Sequence, residues 1–328
     1  MNNPSYHGPF KTYIQNFVEV KQALGYKYLA EALCLKRFDK FTIENYNSAS
    51  TLTKEIVMAW CTKKPHEKQE NLRARASVIR LFATYLDNHG IDAYVIPKYH
   101  FKSGEKYIPH IYTDAELQKF FEETDKCHCC SLCPNRHLIM PIIFRMIYSC
   151  GLRVSEARLL KVQEVDLNNG VLTINQSKKD NSRLVPMTHE LTKRCQTYAK
   201  QVHGSSNPEG YFFPMIDDKP LTLGNIYKNF RKFLWKAGIS HGGRGLGPRI
   251  HDFRHLFSVH CLKKWSEEGK DLMTYLPILR VYLGHDSFDE TAYYLKLTAD
   301  VFPEITLKLE QAYSELIPVI EGGAYETN

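Results

Sequence analysis

The segment RIHDFRHLF, residues 249–257, places His251, Arg254 and His255 within five positions, directly before an apolar run. A zinc-binding helix would offer a carboxylate or a further ligand in helical register, as H-E-x-x-H does, whereas this segment offers arginine. The planar guanidinium group of arginine suits the paired oxygens of a phosphate. The segment therefore indicates a site for a phosphate group rather than for a metal ion.

Three further segments carry side chains that could act on a phosphodiester. GLRVSEAR places Arg153 just after a helix end, QSKKDNSRLVP places Lys178 at the mouth of a predicted hairpin, and YLGHDSFDETAYYLKL places Tyr294 nine residues after His285. Each residue alone has an ordinary structural explanation, such as a surface ion pair, a solvated turn, a helix cap or a core position. Their joint order and spacing favour a functional site.

Taken in order, these motifs resemble the signature of the tyrosine site-specific recombinases, the phage integrase-like family. The matching elements are G-L-R-x-S-E, a lysine in a hairpin that ends in R-x-V-P, H-x-x-R-H, L-G-H, and a tyrosine nine residues beyond that last histidine. The resemblance implies an enzyme that cleaves and rejoins DNA at specific sites, for integration, excision or transposition of a mobile element. A type IB topoisomerase-like enzyme and a non-catalytic DNA-binding regulator remain as alternatives.

The resemblance also implies a role for each matching residue. Arg153 and Arg254 would bind the non-bridging oxygens of the scissile phosphate, and His285 would add a hydrogen bond to that phosphate. Two planar guanidinium groups suit a transition state in which negative charge grows on phosphorus-bound oxygens.

By the same resemblance, Tyr294 would be the nucleophile, Lys178 would protonate the departing 5′ oxygen, and His251 would share proton handling with the nucleophile. The products would be a 3′-phosphotyrosine and, after strand exchange, a Holliday junction. Adjacent side chains on a helix point about 100° apart, so Tyr293 and Tyr294 cannot both face one phosphate. We expect Tyr294 to face it and Tyr293 to pack inward, while His255 packs behind the site.

The resemblance further implies double-stranded DNA recombination sites as the partner, a homotetramer on DNA, and accessory recombination proteins as further candidate partners. A phosphotyrosine keeps the energy of the broken phosphodiester, so no ATP is required, and the sequence has no G-x-x-x-x-G-K-[ST] loop. Arginines and a lysine stand where a two-metal nuclease would hold its cations. We therefore expect a site that requires no cofactor and no metal.

One cysteine-rich segment is not part of this resemblance. CHCCSLCPNRH, residues 127–137, spaces Cys127, Cys130, Cys133 and His137 as the ligands of a structural zinc ion can be spaced. The alternative is a thiol-rich loop without metal, because the usual second ligand pair is missing from the rest of the sequence. Both interpretations are left open by the sequence.

Composition and charge agree with a DNA partner. The 328 residues are 43% hydrophobic and 24% charged, which is ordinary for a globular protein with two domains. Lys and Arg outnumber Asp and Glu by 43 to 36, and this excess favours a polyanionic partner. The first residues lack the pattern of a secretory signal and no apolar stretch is long enough to span a bilayer, so we expect a cytoplasmic, DNA-associated bacterial protein.

The periodicity predicts a mainly α fold with a small antiparallel β-meander, and the resemblance implies a C-shaped clamp of two domains. The expected parts are a helical core-binding (SAM-like) domain at 1–100, a linker at 101–112, a catalytic domain at 113–300 and a tail at 301–328. A Thr-x-x-Glu capping box at Thr113 opens the third of these.

Two expectations concern surfaces outside the predicted active site. The amphipathic segment NLRARASVIRLFATYLDNHG carries Arg73, Arg75 and Arg80, which we expect to bind DNA. The acidic tail at 301–328 has apolar residues at helical spacing, and it either docks on a neighbouring protomer or packs on its own domain.

Overall fold

A computed structural model of the chain describes residues 4–102, 104, 107–130, 133–175, 182–204, 207–216, 218–243 and 247–302, without the side chains of 299 and 300. The chain divides into two compact units, Met1–Tyr107 and Ile108–Asn328, and each has its own apolar core. The division falls inside the segment that the sequence marks as a linker. The fold is mainly helical with one small antiparallel sheet, so the predicted fold class is confirmed.

The described part of the first unit is helical, as its amphipathic periodicity predicts. Aromatic side chains from different helices form much of its core, including Phe38, which packs edge-on against both Trp60 and Phe82. Its helices are α1 Lys11–Ala23, α2 Leu29–Asn45, α3 Lys54–Trp60 and α4 Gln69–Asp87.

The second unit surrounds one small sheet with helices. Its first helix begins at the predicted capping box, in which the Thr113 hydroxyl accepts from the backbone N–H of Glu116 and the Glu116 carboxylate accepts from that of Thr113. The helices are α5 Asp114–Asp125, α6 Arg136–Ser149, α7 Val154–Leu159, α8 His189–Val202, α9 Leu223–Lys236, α10 Asp252–Glu267, α11 Leu272–Leu283 and α12 Phe288–Val301. A short 3₁₀ helix, Val162–Glu164, leads into the sheet.

The sheet is a meander of three antiparallel strands in the order β1-β2-β3. These are β1 Val165–Asp166, β2 Val171–Asn175 and β3 Ser182–Pro186. Asn175 pairs with Ser182, so residues 176–181 connect β2 to β3 at that end of the hairpin. The connection contains Lys178, which lies outside the described residues.

Helix α6 is the centre of the second core. It is apolar on nearly every face and most of its residues are buried. Its Phe144 ring packs against Phe120, Phe230 and Phe233 of neighbouring helices, and its Tyr148 ring packs edge-on against Phe253. None of the helices in the described ranges combines the length and apolarity needed to cross a membrane.

Candidate active site

Arg153 is placed by the sharp corner between α6 and α7. Gly151 adopts a left-handed conformation with φ +59°, and a Cβ there would lie 2.5 Å from the Phe257 ring, so the corner requires glycine. Arg153 then begins α7, where its backbone N–H donates to the Glu156 carboxylate at 2.8 Å. Its guanidinium donates to Glu156 and, at 3.0 Å, to the carbonyl oxygen of Gly284.

Arg254 lies in the first turn of α10 and is fully buried. Its Nη1 donates to the carbonyl oxygen of Gly151 at 2.9 Å, and its Nη2 donates to that of Leu283 at 2.6 Å. Its Nε finds no hydrogen-bond partner within the described part of the chain. A buried donor without a partner is costly, so this N–H is suited to an oxygen of a bound ligand.

His285 follows the carboxyl end of α11, which Gly284 terminates with φ +66°. The imidazole Nδ1 lies 2.8 Å from the Thr291 hydroxyl oxygen, a contact that fixes the orientation of the ring. The ring is stacked on that of Tyr294, with 5.7 Å between centroids. The L-G-H motif thus places its histidine directly beside the tyrosine.

Tyr294 lies on α12 with 2% of its surface exposed, and its hydroxyl lies against Arg254 and Ser258. Burial raises the pKa of Tyr294, although the charge and hydrogen bond of Arg254 oppose that shift. The neighbouring Tyr293 is 37% exposed. The expectation that Tyr293 packs inward was therefore wrong, because the inward direction on this turn of α12 is the one that faces α10 and its arginine.

The histidines of the site are held neutral in the free protein. Burial, followed by the charges of nearby arginines, lowers the pKa of His251 to about 4 and that of His285 to about 3. Burial also lowers the pKa of His255 to about 3, and this ring packs against both His251 and Tyr294, as expected. Near neutral pH the positive charge of the site therefore comes from its arginines.

Glu156 and Arg183 lie among these arginines and histidines, and neither had a role assigned from the sequence. The Glu156 carboxylate accepts from Arg153 and, through both of its oxygens, from Arg183 at 3.1 and 2.9 Å. Its carboxylate also lies 3.8 Å from Arg254. Glu156 stands three residues after Arg153, and this spacing at a helix start was the available signal.

The structure brings Arg153, Arg254, His285 and Tyr294 together, with His251 at the start of α10. Three arginines, counting Arg183, share one carboxylate, so this group of side chains carries an excess of positive charge. Such a group fits a phosphate anion.

The four predicted zinc ligands are not arranged as a metal site. No group of three or more His, Cys, Asp or Glu side chains within the described residues is placed to hold a metal ion. The Cys133 thiol is buried in the core, Cys127 and Cys130 pack against that core, and the Nδ1 of His137 lies 3.0 Å from the Pro134 carbonyl oxygen. In this arrangement the three thiols pack in or against the core of the second unit.

The three arginines of α4 separate into two kinds. Arg73 and Arg80 are partly exposed and line a cleft together with Lys98 and Tyr99, whereas Arg75 is buried. Both Nε and Nη2 of Arg75 donate to the Glu67 carboxylate, and its other N–H groups donate to the carbonyl oxygens of Trp60 and Thr62. The DNA-binding role expected for Arg75 is corrected to a structural one, because its donors are used within the unit.

Comparison with known proteins gives the class to which this fold and site belong. The sequence model described as the phage integrase family matches residues 110–300, more than half of the chain. The chain therefore belongs to the phage integrase family.

Individual relatives extend over most of the chain. A candidate integrase/recombinase, y4rB of Sinorhizobium fredii, is 27% identical over 93% of this chain and 98% of its own length. A tyrosine recombinase of Pseudothermotoga lettingae is 25% identical over 86% of this chain and 92% of its own length. Both are similar to this chain through its two units.

Solved structures share the fold at low sequence identity. The XerH site-specific recombinase, bound to its palindromic difH substrate in a post-cleavage complex, matches with a TM-score of 0.66 at 17% identity, over 96% of this chain and 99% of that one. The Tn1549 transposon integrase, in complex with a circular intermediate DNA, matches with a TM-score of 0.63 at 14% identity, over 86% and 94%.

Proposed function

We propose that this protein is a site-specific DNA recombinase that cleaves and rejoins double-stranded DNA through a covalent link to Tyr294. The observation that carries the proposal is that the Tyr294 hydroxyl lies against Arg254, with His285 stacked on its ring, in a cluster rich in arginine. Family membership supports the same class, and the XerH site-specific recombinase, which has a similar fold, is seen bound to its palindromic difH substrate.

In the proposed reaction the Tyr294 oxygen attacks the scissile phosphorus, a new O–P bond forms, and the bond from phosphorus to the 5′ oxygen breaks. Arg153 and Arg254 bind the non-bridging oxygens, and His285 donates a further hydrogen bond. Because these donors are held by neighbouring carbonyl and carboxylate groups before DNA arrives, little reorganisation is needed when charge grows in the transition state.

Two proton transfers complete the step. Burial raises the pKa of Tyr294, so the phenol must give up its proton during the attack. His251 is unprotonated in the free protein because burial and nearby arginines lower its pKa to about 4, and an anionic phosphate beside those arginines would raise its basicity so that it shares in accepting the proton. Lys178 donates a proton to the departing 5′ oxygen. Attack by a 5′-hydroxyl on the phosphotyrosine reverses the chemistry, so rejoining needs neither ATP nor a metal ion.

The proposed biological role is integration, excision or transposition of a mobile element, by a tetramer that passes through a Holliday junction. Exchange between two duplexes breaks four strands, and a tetramer supplies one Tyr294 for each. Arg73 and Arg80 on α4 would bind the DNA backbone, and the tail at 301–328 would dock on a neighbouring protomer.

The test uses a nicked duplex made from the DNA that flanks the gene. The unmodified protein should form a denaturant-resistant, protease-sensitive adduct through a DNA 3′ phosphate. Tyr294→Phe removes one oxygen and should abolish the adduct while DNA affinity stays nearly unchanged, and the matched control Tyr293→Phe should still form it. An adduct that survives Tyr294→Phe would overturn the assignment of the nucleophile.

Two other outcomes identify the alternative functions. Relaxation of a supercoiled plasmid without exchange between two sites would indicate a type IB topoisomerase-like enzyme. Site-specific binding with no adduct from the unmodified protein would indicate a DNA-binding regulator.

A further inference from the structure

Three consecutive carbonyl oxygens at the end of α11 each accept a hydrogen bond from a different arginine. Arg183 Nε donates to the carbonyl of Tyr282 at 2.7 Å, Arg254 donates to that of Leu283, and Arg153 donates to that of Gly284. The last carbonyls of a helix have no partners within the helix and carry partial negative charge, so they attract cations. His285 is the next residue, and its position is therefore set by this row of bonds.

All three guanidinium nitrogens of Arg183 donate to acceptors within the protein, whereas the Nε of Arg254 has no acceptor among the described residues. Nη1 and Nη2 of Arg183 donate to the two Glu156 oxygens while Nε holds α11, and only 9% of its side chain is exposed. Arg183 lies on β3, where it pairs with Ile174 one step from the end of the hairpin. One side chain thus joins strand β3, the glutamate that holds Arg153, and the helix end that precedes His285.

We infer that Arg183 is a positioning residue for DNA strand transfer, which acts by holding Glu156 and the end of α11 so that Arg153 and His285 meet the phosphate in the correct geometry. This inference rests on the proposed function. Arg183 does not itself touch the phosphate; it acts through the residues that do.

The chemistry of the side chain predicts how far lysine can replace it. Arginine offers a planar fork and a third donor in fixed geometry, whereas lysine offers one compact ammonium group. Arg183→Lys keeps the charge beside Glu156 but cannot bridge both carboxylate oxygens and the Tyr282 carbonyl. We expect Arg183→Gln to lose about 10²-fold in the rate of adduct formation at saturating DNA, a size typical of catalytic groups displaced by a remote change, and Arg183→Lys to recover part of it.

Arg145→Gln is the matched control. Arg145 lies on α6 of the same unit and pairs with both oxygens of Asp125 at 2.7 Å, but it contacts none of the site residues named above. The Arg145→Gln variant should lose a comparable ion pair without a change in the rate of adduct formation. DNA affinity should change less than about threefold in all three variants, and thermal unfolding establishes that each is folded.

A second substrate separates positioning from general weakening of the fold. A methylphosphonate at the scissile position replaces one non-bridging oxygen by a methyl group and removes the negative charge, so the reaction depends less on Arg153. If Arg183 acts through Arg153, the defect of Arg183→Gln should shrink at least several-fold on this substrate. A loosened fold would slow both substrates equally, and that outcome would overturn the inference.

The remaining outcomes are also decisive. An unimpaired Arg183→Gln, or an equal loss in Arg145→Gln, would overturn the positioning role while the proposed function stands. An unmodified protein that forms no adduct on the nicked duplex would overturn the proposed function, and this inference with it.

Discussion

Arg75 in the first unit and Arg254 in the second are both buried, but the charges around them differ. Arg75 pairs with both oxygens of Glu67, and no other arginine shares that carboxylate in the contacts described above. The hydrogen bond from Arg75 is the main cause that lowers the pKa of Glu67 to about 2. Arg254 shares Glu156 with two other arginines, donates to two backbone carbonyls, and lies against the Tyr294 hydroxyl.

The difference separates an arginine that stabilises a fold from one prepared for a ligand. A buried ion pair whose charges balance has no reason to bind an anion, and its removal affects folding. Around Glu156, burial works against ionisation, but the hydrogen bonds and charge of Arg183 keep the pKa of this carboxyl below its usual value. Glu156 is thus ionised, yet it balances only one of three guanidinium charges, and in the proposed reaction a phosphate would supply negative charge for the others.

The largest effect should come from Arg254→Lys. Lysine keeps the charge but cannot hold the Gly151 and Leu283 carbonyls and still present a donor to the phosphate, so adduct formation should fall by at least about 10³-fold. DNA affinity, measured on the same duplex, should stay within a few-fold of that of the unmodified protein, because most of the binding energy comes from contacts with the other phosphates of the DNA. A variant that cleaves at a normal rate would remove the proposed distinction between the two buried arginines.

The next effect is on stability and belongs to the first unit. Arg75→Met leaves the Glu67 charge buried without its partner and should cost about 3 kcal/mol in the free energy of unfolding. Adduct formation per folded molecule should not change.

The control for Arg75 is an exposed ion pair in the same unit. Lys40 and Glu44 pair at 3.5 Å on the surface of α2, so Lys40→Met should cost less than about 0.5 kcal/mol. Urea unfolding measures both variants. A loss of DNA affinity in folded Arg75→Met, without a loss of stability, would restore the original expectation that Arg75 binds DNA.

The inward orientation of the Arg75 side chain could have been predicted from its position relative to the apolar residues of α4. Arg75 stands three residues after Leu72 and four before Ile79, two buried positions of α4, so helical periodicity places it on the apolar face. Its partner could not have been predicted, because Glu67 lies before the helix and their contact depends on how the chain turns there. The basic composition of the segment outweighed its periodicity in our interpretation.

The proposed active site shows the same limit of sequence reasoning over a longer separation along the chain. Motif order selected Arg153, Arg254, His285 and Tyr294, and the structure brings them together. Local sequence placed Tyr293 inward, yet the burial of Tyr294 is decided by contacts with α10, about 40 residues earlier in the chain. The hydrogen bonds of Arg153, Arg183 and Arg254 to the end of α11 likewise join residues that are far apart in the sequence. No local sequence pattern predicts such contacts.

A pH experiment sharpens the comparison because the site, unlike the Arg75 pair, contains buried histidines. Burial first, and then His251 and Arg254, lowers the pKa of His255 to about 3. In the unfolded chain His255 takes up a proton as the pH falls below about 6.5, whereas in the folded chain it does so only near pH 3. The free energy of unfolding is therefore highest above pH 6.5 and decreases as the pH falls from 6.5 toward 3.

The expected loss from His255 is at most about 2 kcal/mol between pH 7.5 and pH 5. His255→Gln should flatten the dependence of the urea midpoint on pH in that range. Curves that run parallel for the variant and the unmodified protein would mean that this histidine is not held neutral by the fold.

The smallest expected effect concerns Arg73 and Arg80, the two arginines of α4 that line the cleft with Lys98 and Tyr99. If each contacts one phosphate, Arg73→Gln and Arg80→Gln should each weaken DNA binding by a few-fold and reduce the slope of log affinity against log salt by about 1. Cleavage at saturating DNA should not change, because neither residue belongs to the active-site cluster.

Arg37→Gln on α2 removes the same charge from an exposed arginine of the same unit and serves as the control. If Arg37→Gln lowers affinity and slope as much as the α4 variants do, the effect is one of net charge, and α4 is not the DNA-binding face of the first unit.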